Sequence, residues 1–117
     1  MPSPAWKKDP ESHDFPAALD YLELVLEPEA AQRVVAKLND ANTVVKKAKD
    51  ILRASELPLL PKENVHVAEN IAKVKQGKKL SPVLLVRGRP LIIADGYHRV
   101  CAIYYLSEDL EVPCRLA

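Results

Sequence analysis

The sequence predicts an α+β fold: a small mixed sheet with flanking helices, preceded by a helical N-terminal extension. Three observations lead there. Apolar residues in the first forty positions recur at three- and four-residue spacing, the period of a helix facing a core. Further on they come as short continuous runs, Val83-Leu84-Leu85-Val86 and Leu91-Ile92-Ile93-Ala94, bounded by proline and glycine. The second run breaks at Asp95-Gly96, after which Val100, Ile103 and Tyr104 return to helical spacing.

The elements follow in order. Residues 1–13 carry Pro2, Pro4 and Pro10 among charged residues and read as a loose lead-in, with Trp6 as its anchor. Asp14 can cap a helix whose first turn suits Pro16. Phe15, Leu19, Leu22, Val25 and Leu26 give that helix its apolar face. Pro28 interrupts it, because the residue before a proline avoids the α region. Ala31, Val34, Val35 and Leu38 then mark a second helix, ended by Asn39-Asp40-Ala41-Asn42. Val44 and Val45 lead into a strand followed by a turn across Lys46–Leu52. Pro58–Pro61 is loop. Val67, Ala68, Ile71 and Val74 form a helix face, with Asn64 as cap and Gly77 at its end. Val83–Val86 is a buried strand, Arg87–Pro90 a turn, and Leu91–Ala94 the return strand. A helix opens at Tyr97 or His98, and Val112, Cys114 and Leu116 alternate as a closing strand. The expected division is residues 1–43 as the extension and 44–117 as the main domain.

Composition narrows the function classes. A chain of 117 residues is one ordinary domain, and 48% apolar with 28% charged residues is an average globular composition. The net charge of +1 is too low for a dedicated nucleic-acid-coating protein. Two basic clusters, Lys46/Lys47/Lys49 and Lys73/Lys75/Lys78/Lys79/Arg87/Arg89, read first as solvated faces and second as a surface for a phosphate-rich partner. Cys101 and Cys114 have no CxxC or zinc-ligand spacing, so both are expected as buried free thiols and no metal site is expected. His66 beside Glu63 and Glu69 reads as a polar helix edge rather than a metal site. The first ten residues have no apolar core of a signal peptide, and no apolar run reaches the roughly 20 residues of a membrane span. A cytoplasmic location with no membrane partner is the expectation.

The informative place is Leu91–Tyr105. A strand ends at Asp95, Gly96 permits a tight turn, and a helix begins. The first amides of a helix have no partner within it, and the macrodipole makes that end positive. A phosphate placed there gains charge-assisted hydrogen bonds. Arg99 can grip phosphate oxygens in a bidentate manner, and His98 can donate a bond or carry a proton. Tyr97 suits either stacking on a base or partial burial. On spacing alone, Asp95 as the helix cap with His98 and Arg99 as polar surface is the more ordinary reading.

The segment Leu80–Val86, the hairpin and Ile93-Ala94-Asp95-Gly96-Tyr97-His98-Arg99-Val100-Cys101-Ala102 together resemble the ParB N-terminal/sulfiredoxin superfamily. Its members carry a P-I-x-V strand, a hairpin, and a G-x-x-R or G-x-H-R box opening a helix. Val112-Pro113-Cys114-Arg115 is similar to the closing V-P-V strand. The resemblance spans about residues 44–117 and leaves out the N-terminal helices. It implies binding of a nucleoside triphosphate, ATP or CTP, with Mg²⁺. It places Gly96, Tyr97, His98 and Arg99 at the nucleotide and Asp95 at the catalytic acidic position of a kinase of this fold. Glu56 falls loosely where that kinase has a second catalytic carboxylate.

The departures from the family pattern limit what transfers. Sulfiredoxins have cysteine before the His-Arg pair, and this chain has Tyr97, so reductase chemistry is not expected. The helix-turn-helix domain of full ParB proteins is not seen after the box. The expectation is therefore a nucleotide-binding protein: an NTPase or small-molecule phosphotransferase, or a regulatory module without turnover. A homodimer through the N-terminal helices is a further expectation. Nucleic-acid binding, including nuclease activity, is the least favoured.

Overall fold

The protein's structure, a computed structural model, describes residues 3–117; the first two positions of the expected lead-in lie outside them. Eleven elements follow in order. They begin with β1 (Ala5–Trp6), α1 (Asp14–Val25), α2 (Pro28–Asp40), β2 (Val44–Lys47) and α3 (Ala48–Ser55). The chain continues through α4 (Val65–Lys75), β3 (Lys79–Leu80), β4 (Val83–Val86), β5 (Ile92–Asp95), α5 (Tyr97–Leu106) and β6 (Glu111–Leu116). Four strands form one sheet in the order β2-β6-β4-β5. Its pairings are antiparallel, parallel and antiparallel, so the expected mixed sheet of an α+β fold is present. A second sheet is the short parallel pair β1-β3.

The central strand β4 is buried on both faces, as its unbroken apolar run requires. Val83 and Leu85 face a core that includes Ile51 and Leu52 of α3, Val67 and Val74 of α4, and Val100 and Ile103 of α5. Leu84 and Val86 face the other way, onto Ala18 and Leu22 of α1 and Ala31 and Leu38 of α2. Successive strand residues point to opposite faces, so one four-residue strand serves two cores. The N-terminal helices thus cover the second face of the sheet.

Arg115 locks this arrangement. Its guanidinium donates to the carbonyls of Leu38 and Asn39, at 3.3 and 2.7 Å, and to the Asp9 carboxylate at 2.9 Å. The same cation lies 5.9 Å from the centre of the Phe15 ring. The last carbonyls of α2 are satisfied by a residue from the closing strand. Trp6 packs against the main core, as the anchor of the lead-in should.

Three expectations are corrected. Lys46–Leu52 is not a strand followed by a turn: the strand ends at Lys47, and Ala48–Ser55 is helical. Ala48, Ile51, Leu52 and Ser55, all buried, make one face of that helix. No side chain caps it; the amides of Ala48 and Lys49 donate instead to the carbonyls of Leu110 and Glu108. Asp14 is not the cap of α1 but its first residue, with His13 at the cap position. The Asp14 carboxylate accepts from the Glu11 amide at 3.0 Å, a side chain bonding back before the helix start. The lead-in is not wholly loose, since Ala5–Trp6 pairs with Lys79–Leu80. Asn64 does cap α4, accepting from His66 and Val67, and Gly77 follows that helix with φ 74°.

Candidate functional site

The junction from β5 to α5 is built by backbone geometry before any side chain acts. Gly96 has φ 106°, the left-handed region that excludes most L side chains. A Cβ at this position would lie 2.4 Å from Val83 Cγ1 and 2.8 Å from Arg99 Nη2. The glycine is therefore demanded by the protein's own packing. No side chain caps α5, and no acceptor among the described residues is bonded to the amides of Tyr97, His98 or Arg99. These are three donors at the positive end of a ten-residue helix.

Arg99 turns back across one helical turn and donates from Nη2 to Asp95 Oδ2 at 2.9 Å. The Arg99 and Asp95 side chains are 17% and 21% exposed, so the pair is mostly removed from water. Arg99 Nε is buried without a hydrogen-bond partner among the described residues. Asp95 is paired with Leu84 in the sheet register, on the face covered by α1 and α2. Burial raises its pKa; Arg99 pulls it back down, and the nearby Asp14 carboxylate raises it further. Asp14 itself is buried. The end of β5 therefore brings two poorly hydrated carboxylates, Asp95 and Asp14, into electrostatic reach of each other, with the Arg99 guanidinium bonded to the first.

His98 meets His66 of α4 edge-on, with ring centres 5.0 Å apart. Burial, then the charges of His66 and Arg99, push the His98 pKa below the ordinary histidine value. Tyr97 is half-buried, and its hydroxyl donates to the carbonyl of Pro58. One turn further on, the buried Cys101 thiol lies against the Leu60 backbone, and after another turn the Tyr105 hydroxyl donates to the Leu60 carbonyl at 2.7 Å. Spacing of four places residues 97, 101 and 105 on one stripe of α5. That stripe holds the proline-bracketed segment 58–61 as a strap beside the box.

No family model, curated protein or solved structure matches the chain. The geometry alone therefore says which sequence-selected residues meet. Asp95, Gly96, Tyr97, His98 and Arg99 are contiguous in space, with the Asp95–Arg99 pair as their centre. Glu56 is exposed at the end of α3, in the left-handed conformation at φ 57°, with its amide bonded to the carbonyls of Leu52 and Arg53. Among the described residues its carboxylate has no ion pair or hydrogen bond that ties it to Asp95. Both cysteines are buried free thiols, as expected, and burial raises both pKa values, that of Cys114 to about 11. Neither has the environment of a reactive thiolate.

Sequence reasoning missed several neighbours of the box. His13 and Asp14 of the N-terminal region both act on Asp95. Val83 packs beneath Gly96, and His66 stands against His98. None has a local signal, because each contact joins segments far apart in the chain. The first basic cluster is partly neutralised within the protein, since Lys49 pairs with Asp109 at 2.7 Å. Lys73 and Lys75 sit in the last turn of α4, where cations favour the helix dipole. A recess of about 640 Å³ between α1 and α2, with Phe15, Leu19 and Val35 in its walls, includes none of the box residues. No helix among the described residues is long and apolar enough to cross a membrane.

Proposed function

We propose that the Asp95–Arg99 junction binds the phosphates of a nucleoside triphosphate, ATP or CTP. The observation that carries this reading is a set of donors without acceptors: three uncapped amides of α5, with Arg99 Nε unpartnered beside them. Arg99 Nε is a buried donor, and buried donors are nearly always paired; an anion at the partly buried helix start would meet both it and the free amides. The resemblance of the box to the ParB/sulfiredoxin superfamily supports the same assignment. The amides of Tyr97–Arg99 would hold phosphate oxygens, and the Arg99 guanidinium would pivot from Asp95 to share them. Asp95 Oδ1, which Arg99 does not engage, would hold Mg²⁺. When bound, that ion would neutralise charge on the phosphate oxygens.

Turnover is a second reading, an NTPase or small-molecule phosphotransferase. Burial favours the protonated form of Asp95 and moves its pKa upward, the direction that suits a carboxylate acting as base. Against this, Arg99 occupies one Asp95 oxygen. A module that binds without turnover is the better supported of the two. Calorimetry with ATP, CTP and GTP, with and without Mg²⁺, tests the assignment. Arg99→Ala should abolish binding, and unchanged affinity would overturn it. Product formation by the wild type that Asp95→Ala removes, with binding retained, would establish turnover.

A further inference from the structure

His66 and His98 are each the second residue of their helix, α4 and α5, and the packing of these helices brings the two imidazoles together. We propose that His66 and His98 form a site for a transition-metal dication of the zinc class, with Glu69 positioning His66. A ring nitrogen lies roughly 2.0–2.1 Å from zinc, which puts the ring centre about 3.2 Å from the ion. Two such rings at a near-tetrahedral angle have centres about 5 Å apart. The observed separation is 5.0 Å, with the planes inclined by 62°.

The surroundings fit a ligand pair. Glu69 Oε2 lies 3.7 Å from His66 Nδ1, an ion-pair separation that a small side-chain rotation would close to a hydrogen bond, leaving Nε2 for the ion. A carboxylate behind a histidine is the usual support of a metal-binding imidazole. The His66 side chain is 61% exposed, so an ion can reach it from solvent. Two protein ligands leave the remaining positions for water or for an oxygen of a bound molecule, and His98 directly precedes Arg99 of the box in the chain.

Glu11, His13 and Asp14 form a competing cluster, with ligand atoms within 4.8 Å of one another. Its donors are already in use. Glu11 pairs with Lys7, and Asp14 accepts the Glu11 amide while facing His13. The three histidines of the chain therefore divide cleanly between site and control.

The test uses the full-length protein with Zn²⁺ or Co²⁺ alone. Calorimetry with Zn²⁺ and the visible absorption of bound Co²⁺ should report one equivalent bound with micromolar affinity. His66→Ala and His98→Ala should each weaken binding at least tenfold, and Glu69→Gln by a smaller factor. His13→Ala should leave it unchanged, with thermal melts confirming that every variant is folded. Absence of binding to the wild type overturns the proposal, as does loss in His13→Ala with retention in His66→Ala. In either case the rings make only an edge contact. Arg99→Ala separates this site from the nucleotide: it should retain the metal while losing ATP and CTP.

Discussion

The Arg99 guanidinium and the Asp95 carboxylate bond to each other at 2.9 Å across the first turn of α5, directly over Gly96. The pair occupies the groups that a bound anion would recruit. It leaves the amides of Tyr97, His98 and Arg99 without an acceptor among the described residues.

Gly96→Ala should destabilise the fold by roughly 2–4 kcal/mol, combining left-handed strain with overpacking. The new carbon would lie 2.4 Å from Val83 Cγ1, so the effect depends on that contact. Combining Gly96→Ala with Val83→Ala should therefore lose less than the sum of the two single changes. Chemical denaturation of the four proteins measures this, and strict additivity would refute the contact.

Two box residues should shape the pH dependence of stability in opposite directions. The folded-state pKa of Asp95 is raised, chiefly by burial, so the folded chain keeps this proton to higher pH than the unfolded chain. Its contribution is present below about pH 4 and is lost as pH rises through the folded value. The folded-state pKa of His98 is lowered, chiefly by burial, so the unfolded chain takes up that proton first. Its contribution is complete above about pH 6.5 and is lost as pH falls through the folded value. Asp95→Asn should remove the first slope and His98→Gln the second in denaturant midpoints. Profiles parallel to the wild type would contradict the assignments.

Tyr97→Phe and Tyr105→Phe each delete one hydroxyl that holds the 58–61 strap. Each should destabilise the protein by about 1 kcal/mol. Amide hydrogen exchange in residues 57–61 should quicken in both variants, while exchange in β4 should change no more than global stability does. Unaltered exchange in the strap would show that it is held by other contacts.

A fragment covering residues 44–117 should not fold alone. Without α1 and α2 it would expose Leu84, Val86 and Ala94, and Arg115 would lose its partners on Asp9, Leu38 and Asn39. Its nitrogen–proton NMR spectrum should be poorly dispersed. A cooperative thermal melt of the fragment would disprove the prediction.

The elements that could be read from sequence are those whose cause is local. Phe15 to Leu38 shows helical spacing, Asn64 caps its own helix, and Val83–Val86 is apolar at every position because both faces are covered. The Asp95–Arg99 box was legible for the same reason, since strand end, glycine and helix start follow one another directly. Helix α3 was not legible: Val44 and Val45 argue for extension, and the groups that cap it come from Glu108 and Leu110. The pairing of Ala5–Trp6 with Lys79–Leu80 likewise has no local cause.

Composition, apolar period and turn chemistry by themselves determined an α+β chain with a glycine-opened helix after a buried hairpin. Only the tertiary structure decided that α1 and α2 cover the second face of the sheet, that Asp14 approaches Asp95, and that His66 meets His98. Period and propensity act over a few residues and leave a record in the sequence. Contacts between distant segments are chosen by how whole surfaces pack, and no short stretch of sequence encodes that choice.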